Sequence, residues 1–204
     1  MTSLAKLLVE TLAAAGVTRI WGVTGDSLNA VDGALRENGE IAFMHVRNEE
    51  AGAFASGAEA AVTGKLAVCA GSCGPGNLHL INGLYDCYRN RVPVLAIASH
   101  IPSTEIGLGF FQETHPTKLF EECSDFCELV TTPKQMPGVL HRALRTAIGQ
   151  NTVSVIVIPG DVSLQEFDGN TPVFVPPSPV RRVPVDADIA AAADLLNGSR
   201  NVTI

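Results

Sequence analysis

Apolar residues recur along this chain in two periods that take turns. Arg19–Val23, Ile41–Val46, Leu66–Ala70, Val94–Ser99, Cys127–Val130 and Ser154–Ile158 are short β-rich runs whose apolar positions follow one another instead of alternating. Strands read this way when helices cover both faces of a parallel sheet. Between them, Ser3–Ala15, Leu28–Asn38, Glu49–Val62, Asn77–Arg89, Pro116–Cys123 and Pro137–Gln150 carry the helical period. Leu4, Leu7, Leu8, Leu12 and Ala15, for instance, line one face of the first helix. Gly16 follows that helix, Asn38-Gly39 ends the second and Pro116 opens the fifth, as helix boundary chemistry prescribes. The alternation predicts a doubly wound α/β domain with a mainly parallel six-stranded sheet and helices on both faces. Strand order does not follow from it.

After Gly160-Asp161 the texture changes. Prolines 172, 176, 177, 179 and 184 crowd a stretch with no helical period, which predicts a linker. The expected organisation is therefore an α/β domain over 1–165, a proline-rich linker over 166–185, and over 186–204 the truncated start of a second α/β domain. There Asp186 is expected to cap a helix over Ile189–Leu196, and Val202-Thr203-Ile204 reads as the opening of a strand.

Composition narrows the function. Of 204 residues, 46% are hydrophobic and 17% charged, so the chain can bury a sizeable core. The net charge of −7, with Arg181-Arg182 the one basic pair, speaks against a nucleic-acid partner. No apolar run approaches the roughly 20 residues of a membrane span. Five cysteines (69, 73, 87, 123 and 127), an odd number set in apolar segments, suggest reduced thiols in a cytoplasmic protein. Their Cys-x3-Cys spacings match no zinc pattern, so no metal site is expected.

Ligands of doubly wound sheets sit beyond the carboxyl ends of the strands, and four strand-to-helix loops there are unusual. Thr24-Gly25-Asp26-Ser27-Leu28 contains a Gly-Asp-Ser-Leu hydrolase block, but none of the five histidines has Asp three residues before it to complete the base. The ordinary alternative is a tight turn capped by Asp26 or Ser27. Arg47-Asn48-Glu49-Glu50 places two acids in the first turn of a small-residue helix. They either serve the helix dipole or, at Glu49, stand buried for chemistry. Gly71-Ser72-Cys73-Gly74-Pro75-Gly76 is a glycine-rich turn opening a helix, able to cradle an anion or simply to turn. It fits neither the dinucleotide nor the Walker pattern. The long segment His100–His115, with Phe110-Phe111-Gln112, suits a pocket lid. The helix after Glu49 has so few large side chains that Gly52 and Gly57 call for a close-packing partner, and self-association is one such partner.

Taken together these loops resemble the N-terminal, pyrimidine-binding domain of thiamine-diphosphate-dependent 2-oxoacid enzymes, which have the thiamine-diphosphate-binding fold. The resemblance is strongest to the branch of quinone-dependent pyruvate dehydrogenases, or pyruvate oxidases. Arg19 to Asn29, Arg47 to Glu50, Ala67 to Ser99 and Phe111 to Pro116 carry it. It implies that Glu49 is the catalytic acid that hydrogen-bonds N1′ of the aminopyrimidine. It also implies that Thr24, Gly25, Asp26, Gly74, Pro75 and Gly76 contact that ring, and that Phe111 and Gln112 face the substrate side. Asn48 departs from the His that such relatives often carry. The implied activity is oxidative decarboxylation of pyruvate to acetate and CO2, with electrons passing through FAD to a quinone; an acetolactate synthase-like carboligase or a silent dimerising fragment are the alternatives. The family holds the diphosphate and Mg2+ through a Gly-Asp-Gly motif not found in this sequence, and FAD mainly through a middle domain. Residues 1–204 alone are accordingly expected to be inactive. A homodimer or homotetramer is implied, cytoplasmic or peripheral at the inner face of the cell membrane.

Overall fold

The computed structural model describes residues 2–169, 174–177 and 183–203. Six parallel strands make one sheet: β2 (Arg19–Gly22), β3 (Ala42–His45), β4 (Ala67–Gly71), β5 (Val94–His100), β6 (Phe126–Leu129) and β7 (Val153–Pro159). Their order is β3-β2-β4-β5-β7-β6. The three central strands, β4, β5 and β7, are the long β-branched and alanine-rich runs, and every residue in them is buried. Helices α1 (Leu4–Ala14), α2 (Asn29–Asn38) and α6 (Met136–Gln150) cover one face, packing Leu8, Leu35 and Leu144 around Val68, Ile97 and Ile156. Helices α3 (Glu49–Thr63) and α4 (Pro75–Arg89) cover the other, with Ala53, Ala60, Leu80 and Leu84 against Cys69, Ala96 and Val155. The doubly wound reading holds.

Several details depart from expectation. β3 is an edge strand whose Ala42, Met44 and His45 are exposed, so its apolar run does not signify cover on both faces. The fifth helix stops early. α5 spans Pro116–Leu119, and a 3-10 turn follows at Glu121–Cys123. The Ser124 hydroxyl donates to the Phe120 carbonyl at 2.8 Å, taking the acceptor that a continuing helix would use. β1 (Thr2–Ser3) pairs antiparallel with β8 (Glu166–Phe167), where the composition had marked the linker's first residues; between them comes α7 (Gly160–Ser163). Phe167 and Phe174 are buried in the core. Part of the proline-rich stretch (170–173 and 178–182) lies outside the described residues, as does Ile204. α8 covers Asp186–Asn197 with Val185, not Asp186, at its N-cap, and Val202 and Thr203 form no strand.

The small residues of α3 find their partners within the chain. A Cβ on Gly57 would lie 2.7 Å from Cys87 Sγ, and one on Gly52 would lie 3.4 Å from the Gly22 nitrogen. From α4, a Cβ on Gly83 would come within 2.5 Å of Ala53 Cβ. Close packing of α3 on α4 and on β2 gives Gly52 and Gly57 partners within this chain. Glu59 fixes the register: its carboxylate accepts from Trp21 Nε1 at 2.6 Å and pairs with Arg19 Nε at 3.3 Å.

All five cysteines are unpaired. Burial raises the thiols of Cys69, Cys87, Cys123 and Cys127, Cys87 and Cys127 to about 12 and Cys123 to about 11. At pH 8 these four should react with a disulfide reagent at least roughly 100-fold more slowly in native than in denatured protein, since thiolate fraction and access both fall. Rapid native labelling of all four would contradict that burial.

Candidate functional site

The order in which strands are added to the sheet reverses between β2 and β4. From β2 the chain runs outward to β3 and returns on the other side, so the carboxyl ends of β2 and β4 part at a topological switch point. Three of the loops singled out by sequence meet there.

Glu49 opens α3 at this point. Asn48 caps the helix, its side chain accepting the Glu50 N–H at 2.9 Å. The next side chain, Glu49, is thereby turned inward and is only 7% exposed. Glu50 points the other way and accepts from Asn82 Nδ2 at 2.8 Å on the surface. Two adjacent acids thus have different surroundings, and a helix-dipole role accounts for Glu50 better than for buried Glu49.

The carboxylate of Glu49 is held from one side. Its Oε2 lies 3.0 Å from Nδ1 of His79, whose side chain is 48% exposed. Its Oε1 makes no hydrogen bond among the described residues and stands over Gly76, where an added Cβ would lie 3.0 Å away. The same Cβ would lie 3.0 Å from Ser72 Oγ, and a Cβ on Gly25 would meet Ser72 Cβ at 2.7 Å. Gly25, Ser72, Gly76 and Glu49 are therefore packed so closely that neither glycine position has room for a side chain. Asn77 beside it is wholly buried, with Nδ2 donating to the Ser99 carbonyl at 2.7 Å and Oδ1 unpartnered.

Serines stitch the loops together. Ser99 Oγ donates to the Ser27 carbonyl at 2.5 Å, and Ser27 Oγ accepts the Cys73 N–H at 3.0 Å. Ser27 is an architectural bridge between the β2 and β4 turns, which closes the hydrolase reading from the structural side as well. Gly74, at φ +66°, approaches the lid: a Cβ there would lie 2.8 Å from the Gln112 carbonyl oxygen. Cys73 Sγ donates to Gln112 Oε1 at 3.6 Å.

Not every sequence-predicted residue converges. Glu49, Gly25, Gly74, Gly76 and Gln112 do; Pro75 is the exposed first residue of α4. Thr24 and Asp26 are exposed, and Thr24 lines a separate cavity of about 280 Å³ with Asp32, Leu35, Arg36, Ile41 and Phe43. Phe111 is 85% exposed and stacks on Phe110 with ring centroids 4.9 Å apart. His79, Ser72 and Asn77 were missed. For His79 a signal existed, since its i, i+3 spacing from Gly76 puts both on one side of the helix start. Among the described residues no group of three or more His, Cys, Asp or Glu side chains could hold a metal. None of the described helices is long and apolar enough to cross a membrane.

Comparison with known proteins bears on this arrangement. The family described as "Thiamine pyrophosphate enzyme, N-terminal TPP binding domain" matches residues 2–120. An uncharacterised 42.6 kDa protein from Pseudomonas amyloderamosa is 59% identical over the whole of this chain and 52% of its own length. Pyruvate oxidase of Lactiplantibacillus plantarum is 37% identical over 78% of this chain and 27% of its own length. The acetolactate synthase large subunit of Parasynechococcus marenigrum is 31% identical over 94% of this chain and 32% of its own length. The chain thus spans about half the length of the first relative and less than a third of the other two.

Proposed function

The chain belongs to the family of thiamine pyrophosphate enzyme N-terminal domains, and on that footing we propose that it is the aminopyrimidine-binding part of an enzyme that oxidatively decarboxylates pyruvate to acetate and CO2. The observation that carries this reading is the Glu49 carboxylate, buried at the switch point with one oxygen held by His79 and the other free above Gly76. The residues fit the group. A flat heterocycle with one basic nitrogen needs a buried acid at its edge and backbone bare of side chains beside that acid, and Glu49 with Gly25 and Gly76 offers both.

Thiamine diphosphate, when bound, supplies a ring carbon that adds to the carbonyl of a 2-oxo acid once its proton has been lost. With the cofactor bound, Glu49 would hold a proton at Oε1 and share it with the aminopyrimidine, which is general acid–base catalysis exerted through the ring. His79 fixes the carboxylate so that Oε1, not Oε2, takes this part. Gly25, Gly74 and Gly76 would hold the ring with bare backbone, and the exposed Pro75, Thr24 and Asp26 would meet it only from the solvent side. Phe111 and Gln112 would face the substrate from the loop that closes on the Gly74 turn. FAD, Mg2+ and the quinone contact are assigned to parts of the protein outside residues 1–165. The protein is proposed to work in the cytoplasm as a homodimer or homotetramer.

A pyruvate oxidase and acetolactate synthases are relatives at similar identity, so it is the product that separates oxidation from carboligation. Product analysis tests it. Full-length protein given pyruvate, thiamine diphosphate, Mg2+, FAD and a soluble quinone should release acetate and reduce one quinone per CO2. Acetolactate formed without quinone reduction would replace this reading by the carboligase.

A further inference from the structure

The segment between β5 and α5 buries little: Ile106, Leu108 and Phe111 are exposed, so apolar packing does not hold its shape. Two carboxylates do. At its base Asp161 accepts the Ser103 N–H at 2.7 Å and the Ser103 hydroxyl at 2.5 Å. At its tip Glu113 Oε1 accepts the Gly107 N–H at 2.6 Å, Oε2 accepts the Gly109 N–H at 2.9 Å, and the Glu113 N–H donates to the Phe110 carbonyl at 2.8 Å. Gly107 and Gly109 have φ of +86° and +76°, with open space where a Cβ would be. No packing requires glycine at either position; the backbone turn that aims two amides at one carboxylate does.

We propose that Glu113 is a positioning residue for substrate, setting Phe111 and Gln112 at the mouth of the site. The inference rests on the reading that these two side chains face the 2-oxo acid. Gln112 lies between two anchors. On one side its own backbone abuts the Gly74 turn, and its amide oxygen takes the Cys73 thiol. On the other comes the Glu113 clasp. Phe111 has Phe110 for its aromatic contact and is otherwise in solvent, so its place is set by the backbone that Glu113 ties into a ring. Hydrogen bonds to an ionised carboxylate are shorter and stronger than neutral ones, and a pair of them fixes direction as well as distance. The Gly107 N–H, followed by that of Gly109, holds the Glu113 carboxyl below the usual carboxylate range, so the clasp is charged throughout the neutral range.

The test compares Glu113→Ala, Glu113→Gln and Gln112→Ala in the full-length protein. Amide exchange over 105–115, read by mass spectrometry, should speed up by roughly tenfold in Glu113→Ala while β5 and β7 keep their protection. Glu113→Gln, which retains one acceptor oxygen, should fall in between. KM for pyruvate should rise by about threefold or more in Glu113→Ala and in Gln112→Ala, with thiamine diphosphate affinity unchanged. Unchanged exchange in Glu113→Ala refutes the clasp. A loosened loop with wild-type KM and kcat refutes the positioning role. In that event Gln112→Ala separates the causes: if it too is silent, the substrate-side reading has failed, and if it is impaired, only the link through Glu113 has.

Discussion

Replacing Glu49 by Gln in the full-length protein should lower kcat by roughly 10²–10⁴, about 3–5.5 kcal/mol in the barrier, with little loss of stability. Gln keeps the size of the side chain and an acceptor for His79, yet it cannot exchange a proton at the atom above Gly76. Deuterium exchange at thiamine C2 should slow to a similar degree, because that proton is lost before pyruvate takes part. Were Glu49 only a partner of the helix dipole, its neutralisation would cost about 0.3–1 kcal/mol of stability and spare catalysis. Glu50→Gln is the internal control: Glu50 meets Asn82 at the surface, and its loss should leave both readouts near wild type. If neither change slows C2 exchange, the acid at the switch point has no part in the chemistry.

Gly83→Ala should destabilise the domain by about 2–3 kcal/mol, the upper part of the range for overpacking a tight interior. Its new methyl would lie 2.5 Å from Ala53 Cβ, 2.8 Å from the Phe54 nitrogen and 3.0 Å from the Glu50 carbonyl oxygen, two of them backbone atoms that cannot rotate away. For a domain of this size that corresponds to roughly 4–12 °C in Tm. The damage reaches the site, since α3 carries Glu49 and α4 carries His79, and separating the helices separates that pair. Gly33→Ala in α2 is the matched contrast. Nothing lies within 4 Å of a Cβ there, so alanine should stabilise by about 0.5–1 kcal/mol through helix propensity. Calorimetry of the two variants decides the matter: equal losses would mean that helix glycines here differ in nothing but propensity.

What the sequence made legible follows from how much each residue's neighbours are themselves sequential. β4, β5 and β7 stood out because an all-apolar run flanked by Gly or Pro has one comfortable place, the middle of a covered sheet. Glu49 stood out because an acid ahead of an alanine-rich helix is locally odd. β1 was invisible: two residues, Thr2 and Ser3, acquire strand geometry from Glu166 and Phe167 alone. The end of α5 depended on one hydroxyl, Ser124, competing for a carbonyl. Ser27 read as a cap or a nucleophile because its real partners, the Cys73 N–H in the turn after β4 and the Ser99 hydroxyl in β5, come from far along the chain. The glycines of α3 pointed correctly to close packing, but composition has no means of telling a partner helix of the same chain from one on another copy.

The pairing of Thr2–Ser3 with Glu166–Phe167, reinforced by the Leu4 N–H donating to the Gln165 carbonyl at 2.9 Å, sets an order on the birth of the domain. On the ribosome, α1 emerges before the rest of this domain, and the strand that precedes it has no mate until roughly 160 further residues have been made, some 10–30 s at ordinary elongation rates. The β2-β3-β4 unit, with Glu49 and the Gly74 turn, is complete long before that. The nascent chain can therefore bring Glu49 to the Gly74 turn while Thr2 and Ser3 still lack a mate, and the closing of β1 on β8 becomes a late tertiary event in this domain. Release of β8 from the exit tunnel, more than any step at the pocket, should mark the moment when the nascent domain becomes resistant to protease.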